Sequence, residues 1–174
     1  MVPKHYFDRA TYHIDECLDE NSQMSRFVSN PINAFMLIQR ITSVWVDIYK
    51  SIKSVNDPGI KLSDDFIWLD DEDIEGAYVS LHRLQSFYEL DPQDMVDGRL
   101  SEEWGSISQY YTLVPKHLSG SDLFEIGKIP YFKDEFMSAK LWFKAAYLEI
   151  KKEMNSENNP LRYEILDYLS WTEY

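Results

Sequence analysis

Apolar residues in this chain return at the spacing of a helix, and that spacing constrains the fold more than any single motif. Ala34, Leu37, Ile38, Ile41, Val44, Trp45, Ile48 and Ile52 form a seam of three- and four-residue steps, the pattern that lines one face of a helix. Asn30-Pro31 supplies a cap and a proline for the first turn, and Asn56-Asp57-Pro58-Gly59 breaks the run. A shorter stripe, Phe7, Ala10, Ile14, Cys17 and Leu18, precedes it. Another helix is expected to open at Asp70-Asp71-Glu72-Asp73, where acids offset the positive end of the helix dipole. Its buried face is expected to be Ile74, Ala77, Leu81, Leu84 and Tyr88, and Asp91-Pro92 ends it. Gly98 to Ser108 is a looser stretch leading to Pro115, read as a junction. Beyond Leu118, Ser119 or Ser121 caps a helix running through Tyr131. A second follows from Glu135 to about Met154, and after the Asn155–Pro160 breaker a third runs from Leu161 to Tyr174. Glycine-turned hairpins and sustained alternation are missing. The expectation is all-α: a helical region over 1–115 followed by a smaller helical module over 116–174.

At 174 residues, 44% of them apolar and 15% aromatic, the chain can bury a core. Thirty acids against 17 bases give a net charge of −13, which argues against nucleic acid or an anionic membrane as the main partner. No apolar run reaches the roughly 18 residues a membrane span needs. The opening Met1-Val2-Pro3-Lys4-His5 has no apolar core of a signal peptide. The lone Cys17 excludes an internal disulfide and a cysteine-based zinc site, and reads as a small buried hydrophobe.

Catalytic constellations fare poorly. His13, Asp15 and His82 have the types of a two-histidine, one-carboxylate iron site. All three fall in helical segments, however, where solvated helix-face positions explain them better. Asp71-x-Asp73-x-Glu75-Gly76 imitates half a calcium loop, but its twelfth position is His82 and the segment reads as an acidic helix start. No serine has a nucleophile-elbow context, and the six glycines form no phosphate-cradling loop. No catalytic residue is assigned.

Binding features are stronger. Leu123, Ile126, Gly127, Ala139, Phe143 and Ala146 sit at the spacing of a tetratricopeptide helix pair, whose small residues allow close helix approach. Leu166, Leu169 and Ser170 restart the pattern, while Pro130 counts against regular geometry in the first helix. On the last helix Tyr168, Trp171 and Tyr174 recur every three residues. With Leu166 and Leu169 taking the packing positions, these rings form a face suited to stacking on proline and bonding an extended peptide. The competing expectation is that the same rings pack into the core.

Several ordered stretches resemble the α subunit of collagen prolyl 4-hydroxylase, in its N-terminal and peptide-substrate-binding regions. They are Phe27-Val28-x-x-Pro31-Ile32-Asn33-Ala34-Phe35, Arg40-Ile41-x-x-x-Trp45 and Asp71-Glu72-Asp73-x-x-Gly76-Ala77. Leu81-His82-Arg83-Leu84-Gln85-x-x-Tyr88-x-Leu90-Asp91 follows, then Leu118-Ser119-x-x-Asp122-x-Phe124-Glu125-Ile126-Gly127-Lys128, Leu141-Trp142 and Leu166-Asp167-Tyr168-Leu169-Ser170. The resemblance implies a helical region that pairs two α subunits, followed by an incomplete tetratricopeptide-like domain lacking its last two helices. It implies binding of a proline-rich, collagen-like peptide in polyproline-II form by Tyr131, Asp167, Tyr168, Trp171 and Tyr174. By the same resemblance Fe(2+), 2-oxoglutarate and ascorbate serve a catalytic domain absent from this chain. Protein disulfide isomerase is the implied partner subunit, and the endoplasmic reticulum lumen the implied location. Trp171 departs from the family's usual tyrosine, and Pro130 from the usual residue before Tyr131. Two alternatives stay open: a stand-alone tetratricopeptide-like adaptor without enzyme activity, and a divergent product that binds nothing.

Overall fold

A computed structural model describes residues 28–54, 69–100, 117–152 and 159–173. Every regular element among them is helical, with no strand, as the periodicity predicts. The chain divides into two compact units, residues 1–77 and 78–174. The junction expected near residue 115 lies outside the described residues, as do the stripe from Phe7 to Leu18, His13, Asp15 and Tyr174.

In the first unit, α1 (Pro31–Arg40) and α2 (Val46–Ser54) are joined through a π turn, Ile41–Trp45. Asn30 caps α1, its Oδ1 accepting from the Ile32 N–H at 2.8 Å, with Pro31 in the first turn. Periodicity alone does not predict the π turn. Thr42 Oγ1 donates to the carbonyls of Ile38 and Gln39 at 3.1 Å, and Ser43 Oγ donates to Gln39 O at 2.6 Å. Hydroxyls bonded back onto the preceding turn compete with the regular ladder and open it. The extra residue advances every later side chain by about 100°. Among the described residues of α1, the π turn and α2, Ile32, Phe35 and Ile48 are buried, whereas the expected seam residues Ala34, Leu37, Ile38, Ile41, Val44 and Trp45 are half-buried.

Helix α3 (Asp71–Tyr88) starts as the acids suggest. Asp70 Oδ1 accepts from the N–H groups of Glu72 and Asp73, and Asp73 Oδ2 accepts from the Asp70 N–H at 2.9 Å. The segment resembling a calcium loop is therefore a capped helix start.

The second unit takes up α3 from Tyr78. Leu81, His82 and Gln85 are buried there, while Tyr88, expected inside, is 63% exposed. Gln85 occupies the inner end of the helix instead: its amide donates to Leu90 O, and its backbone carbonyl accepts the Leu90 N–H. That clip turns the chain at Glu89, which adopts φ 52°, and leaves Tyr88 outside. Asp91 then caps the short α4 (Pro92–Val96).

Three longer helices complete the unit: α5 (Gly120–Tyr131), α6 (Phe136–Lys152) and α7 (Pro160–Thr172). Ser119, not Ser121, caps α5 in a reciprocal box with Asp122. Asn159 caps α7, with Pro160 in the first turn. Helices α5 and α6 pack closely because two glycines leave room. A Cβ on Gly127 would lie 2.6 Å from the Phe143 ring, and one on Gly120 would lie 2.5 Å from Ile150. Between the helices Leu123, Phe124, Ile126, Trp142, Phe143 and Ala146 are almost wholly buried. Helix α7 docks through Ile165, fully buried, and Thr172; Leu166, expected to pack, is 40% exposed and Leu169 half-buried.

Candidate functional site: an aromatic face on α5, α6 and α7

Pro130 stands in the last turn of α5, where its missing N–H costs one ladder bond and leaves the preceding turns intact. The helix runs on to Tyr131, and the Phe132 N–H bonds Lys128 O at 3.0 Å. The Pro130 carbonyl accepts from the N–H groups of Lys133 and Glu135, which closes the link to α6, with Asp134 at φ 61°. Pro130 thus sits in a defined turn that fixes where Tyr131 ends the helix.

Tyr131 meets Tyr168 of α7, their ring centroids 4.8 Å apart and inclined at 62°. Tyr168 also lies 5.3 Å from Phe124 and 5.4 Å from Phe143, edge-on to both. Edge-to-face pairs of this kind contribute about 0.5–1.5 kcal/mol each beyond the area they bury. Phe124 and Phe143 are buried, Tyr131 and Tyr168 half-buried. The two tyrosines form the outer layer of an aromatic cluster whose inner layer is core.

Three residues along a helix fall about 60° short of a turn, so the terminal stripe does not stay on one face. Tyr168 turns inward, and Trp171 is 65% exposed. Asp167 is exposed, and its backbone carbonyl accepts the Ser170 hydroxyl at 2.7 Å. The structure therefore brings Tyr131 and Tyr168 together and places Trp171 and Asp167 on the solvent side of α7. The rings of the stripe therefore divide, Tyr168 packing against other rings and Trp171 facing solvent.

Two further rings join the face that sequence reasoning does not single out. Phe132 and Phe136 lie edge-on to Tyr131 at 5.6 and 5.7 Å, and they are 71% and 42% exposed. The available signal was the Tyr131-Phe132 pair directly after a proline at a helix end. The far end of α7 is held by Lys140, whose ammonium lies 2.7 Å from the Glu173 carboxylate. That hydrogen bond holds the Glu173 carboxyl below its usual range.

The family model for the prolyl 4-hydroxylase alpha-subunit N-terminal region matches residues 4–102. Prolyl 4-hydroxylase subunit alpha-2 of Caenorhabditis elegans is 31% identical over 159 residues, covering 85% of this chain and 27% of the relative. The chain belongs to the prolyl 4-hydroxylase α-subunit family. Subunit alpha-1 of Rattus norvegicus is 30% identical over 85% of the chain and 26% of its own length. Subunit alpha-3 of Homo sapiens is 29% identical over 94% of the chain and 32% of its own length. The chain thus spans 26% to 32% of these α subunits, and the family resemblance drawn from its ordered motifs holds.

Within this prolyl 4-hydroxylase α-subunit segment, His82 corrects the reading of a solvated histidine. It is 4% exposed, with Nε2 3.5 Å from Glu135 Oε2. Burial lowers its pKa below 6.5, Lys133 and Arg83 push the same way, and Glu135 opposes them. A neutral, enclosed imidazole beside one carboxylate is a packing residue. Among the described residues no group of three or more His, Cys, Asp or Glu side chains is placed to hold a metal ion. Among the same residues no helix is long and apolar enough to cross a membrane.

Proposed function

We propose that this chain is a non-catalytic, substrate-holding part of a prolyl 4-hydroxylase α subunit, presenting Tyr131, Tyr168 and Trp171 to a proline-rich, collagen-like peptide. The single observation carrying this is the Tyr131–Tyr168 pair, two half-buried rings 4.8 Å apart on different helices, set on a buried Phe124–Phe143 base. Rings fixed from behind lose little freedom when a ligand covers them, and a polyproline-II peptide is itself pre-ordered. Proline rings are flat and apolar enough to lie against tyrosine faces, while the phenol hydroxyls are suited to bond the peptide's solvated carbonyls. Asp167, exposed beside Tyr168, is suited to accept a peptide N–H, and Tyr174 extends the same reading beyond the described residues.

In this reading the α5–α6 pair, with α7 beginning a second unit, is tetratricopeptide-like, and residues 1–115 are the region that pairs two α subunits. Proline hydroxylation in the X-Pro-Gly context belongs to another part of the subunit. So do the Fe(2+), 2-oxoglutarate and ascorbate it uses. Protein disulfide isomerase as partner subunit and the endoplasmic reticulum lumen as compartment follow from the same proposal.

Titration of the full chain with a (Pro-Pro-Gly)-repeat peptide tests it. Trp171→Ala is the cleaner variant, because its ring is largely exposed and its loss leaves the core intact. Tyr168→Ala strips the aromatic cluster as well, so its affinity is read together with its melting temperature. Saturable binding weakened by both variants is expected. No binding by the wild type, or binding that neither substitution alters, refutes the proposal.

A further inference from the structure

Glu173 stands where a helix least favours an acid. It follows directly on α7 as its C-cap, and the last turn of that helix holds no basic residue. A carboxylate there faces the negative end of the helix dipole. The offset comes from another helix. Lys140 of α6 donates to the Glu173 carboxylate at 2.7 Å, from a side chain only 20% exposed. A stem already packed along the protein loses little freedom in making such a bond. The hydrogen bond from Lys140 is the main reason the Glu173 carboxyl stays ionised below its usual range, and the Lys140 and Lys144 charges add to it.

This tie bears on the ring two residues before it. Tyr168 is braced by Phe124, Tyr131 and Phe143. Trp171 is 65% exposed, so its indole is placed by the backbone of the last turn. That turn is closed loosely from within: the Glu173 N–H reaches Ser170 O at 3.4 Å, a long bond. Thr172 is buried and its hydroxyl bonds Leu169 O at 2.8 Å, and Glu173 beyond it is tied to α6. We infer that Lys140 is a positioning residue for the peptide face: through its ion pair with Glu173 it fixes the last turn of α7 and with it Trp171; this rests on the peptide-binding reading. The ammonium acts on the ligand only through the indole. Helix ends open at little cost, and a turn that is already held spares the ligand the cost of ordering it.

The test titrates the full chain with a (Pro-Pro-Gly)-repeat peptide and follows the melting temperature of each variant. Lys140→Met, which keeps the stem, and Glu173→Gln are each expected to weaken binding about two- to fivefold, the scale of one exposed ion pair. Lys140→Arg should stay near the wild type. The double variant should bind no more weakly than the weaker single one, because both substitutions remove the same bond. In a Trp171→Ala chain, Lys140→Met should have no further effect, a result that general destabilisation of the face would not give. If Trp171→Ala weakens binding and neither Lys140→Met nor Glu173→Gln does, the inference is overturned and the face stands. A loss with Lys140→Met but not with Glu173→Gln would put the ammonium on the ligand itself. An undiminished Lys140→Met effect in the Trp171→Ala chain would show that it acts elsewhere. Either outcome overturns the inference. A wild type that binds no peptide overturns both readings.

Discussion

Two glycines in helices of this chain are expected to respond to the same substitution with opposite signs. Gly127 lies at the closest approach of α5 and α6: a methyl there would sit 2.6 Å and 2.7 Å from Phe143 Cε1 and Cδ1, and 3.1 Å from Trp142 Cβ. Relief requires the Phe143 ring to move, yet that ring is fully buried and braced by Phe124, Tyr131 and Tyr168 at 5.6, 6.0 and 5.4 Å. Overpacking of this kind costs about 1–3 kcal/mol, against a helix-propensity gain for Gly→Ala of up to about 1 kcal/mol. Gly127→Ala should therefore destabilise by about 1–2 kcal/mol, lowering Tm by roughly 4–16 °C for a unit of this size. Gly76 is exposed in α3, and among the described residues no heavy atom outside its own chain neighbours and helix backbone lies within 4 Å of where a methyl on it would stand. Gly76→Ala should show the propensity gain alone, about 0.5–1 kcal/mol of added stability. Thermal unfolding followed by far-ultraviolet circular dichroism decides the sign, and near-ultraviolet dichroism reports whether the aromatic cluster has shifted. A Gly127→Ala chain as stable as the wild type would refute the account of how α5 and α6 pack.

Three other outcomes follow from the same packing. Because burial lowers the pKa of His82 below 6.5, the unfolded chain takes up its proton first; the stability this neutral imidazole contributes is full above about pH 6.5 and is lost as pH falls toward the lowered value. His82→Gln should flatten that part of the stability–pH curve in denaturant titrations, and an unchanged slope would show that the imidazole is not the group responsible. Ile165→Ala removes the fully buried anchor of α7 and should cost about 2–5 kcal/mol, with amide exchange in α7 rising ahead of that in α5 and α6. Trp171→Ala, at a site 65% exposed, should leave the melting curve within about 0.5 kcal/mol of the wild type; a larger loss would place the indole in the core and remove it from the binding face.

Helix starts were legible because a cap is a local arrangement between one side chain and the backbone a few residues on. Asn30 and Ser119 each cap the helix their positions suggest, whereas Asn159, read as part of a breaker, also caps one. The glycine at 127 was legible too, since a small residue in an apolar helical stripe marks close approach. Phase was not. Periodicity says that a helix has an inner face, but the neighbours decide which residues of a broad stripe turn inward. That is why Gln85 displaces Tyr88 at the inner end of α3, and why a histidine read as solvated is buried against Glu135. The π turn at Ile41–Trp45 was invisible for a related reason. The Thr42 and Ser43 hydroxyls can face solvent or bond back to the helix, and the sequence contains both options.

The same limit explains the divided aromatic stripe and gives it meaning. A continuous row of exposed rings on one helix would be soft and poorly placed. A row wholly in the core would have nothing to offer a ligand. Here Tyr168 is held from behind by Phe124 and Phe143 and from the side by Tyr131, while Trp171, one helical step on, stands in solvent. On the proposed peptide-binding reading, the fixed ring sets a position and the exposed ring supplies area, a combination that favours an ordered, flat-faced ligand over a flexible one. Docking α7 through Ile165 is what makes the division possible, because it puts the tyrosine rather than the tryptophan over the α5–α6 seam. On that reading binding and stability should separate along this helix: changes at Ile165 or Tyr168 are expected to disturb both, and a change at Trp171 to disturb binding alone.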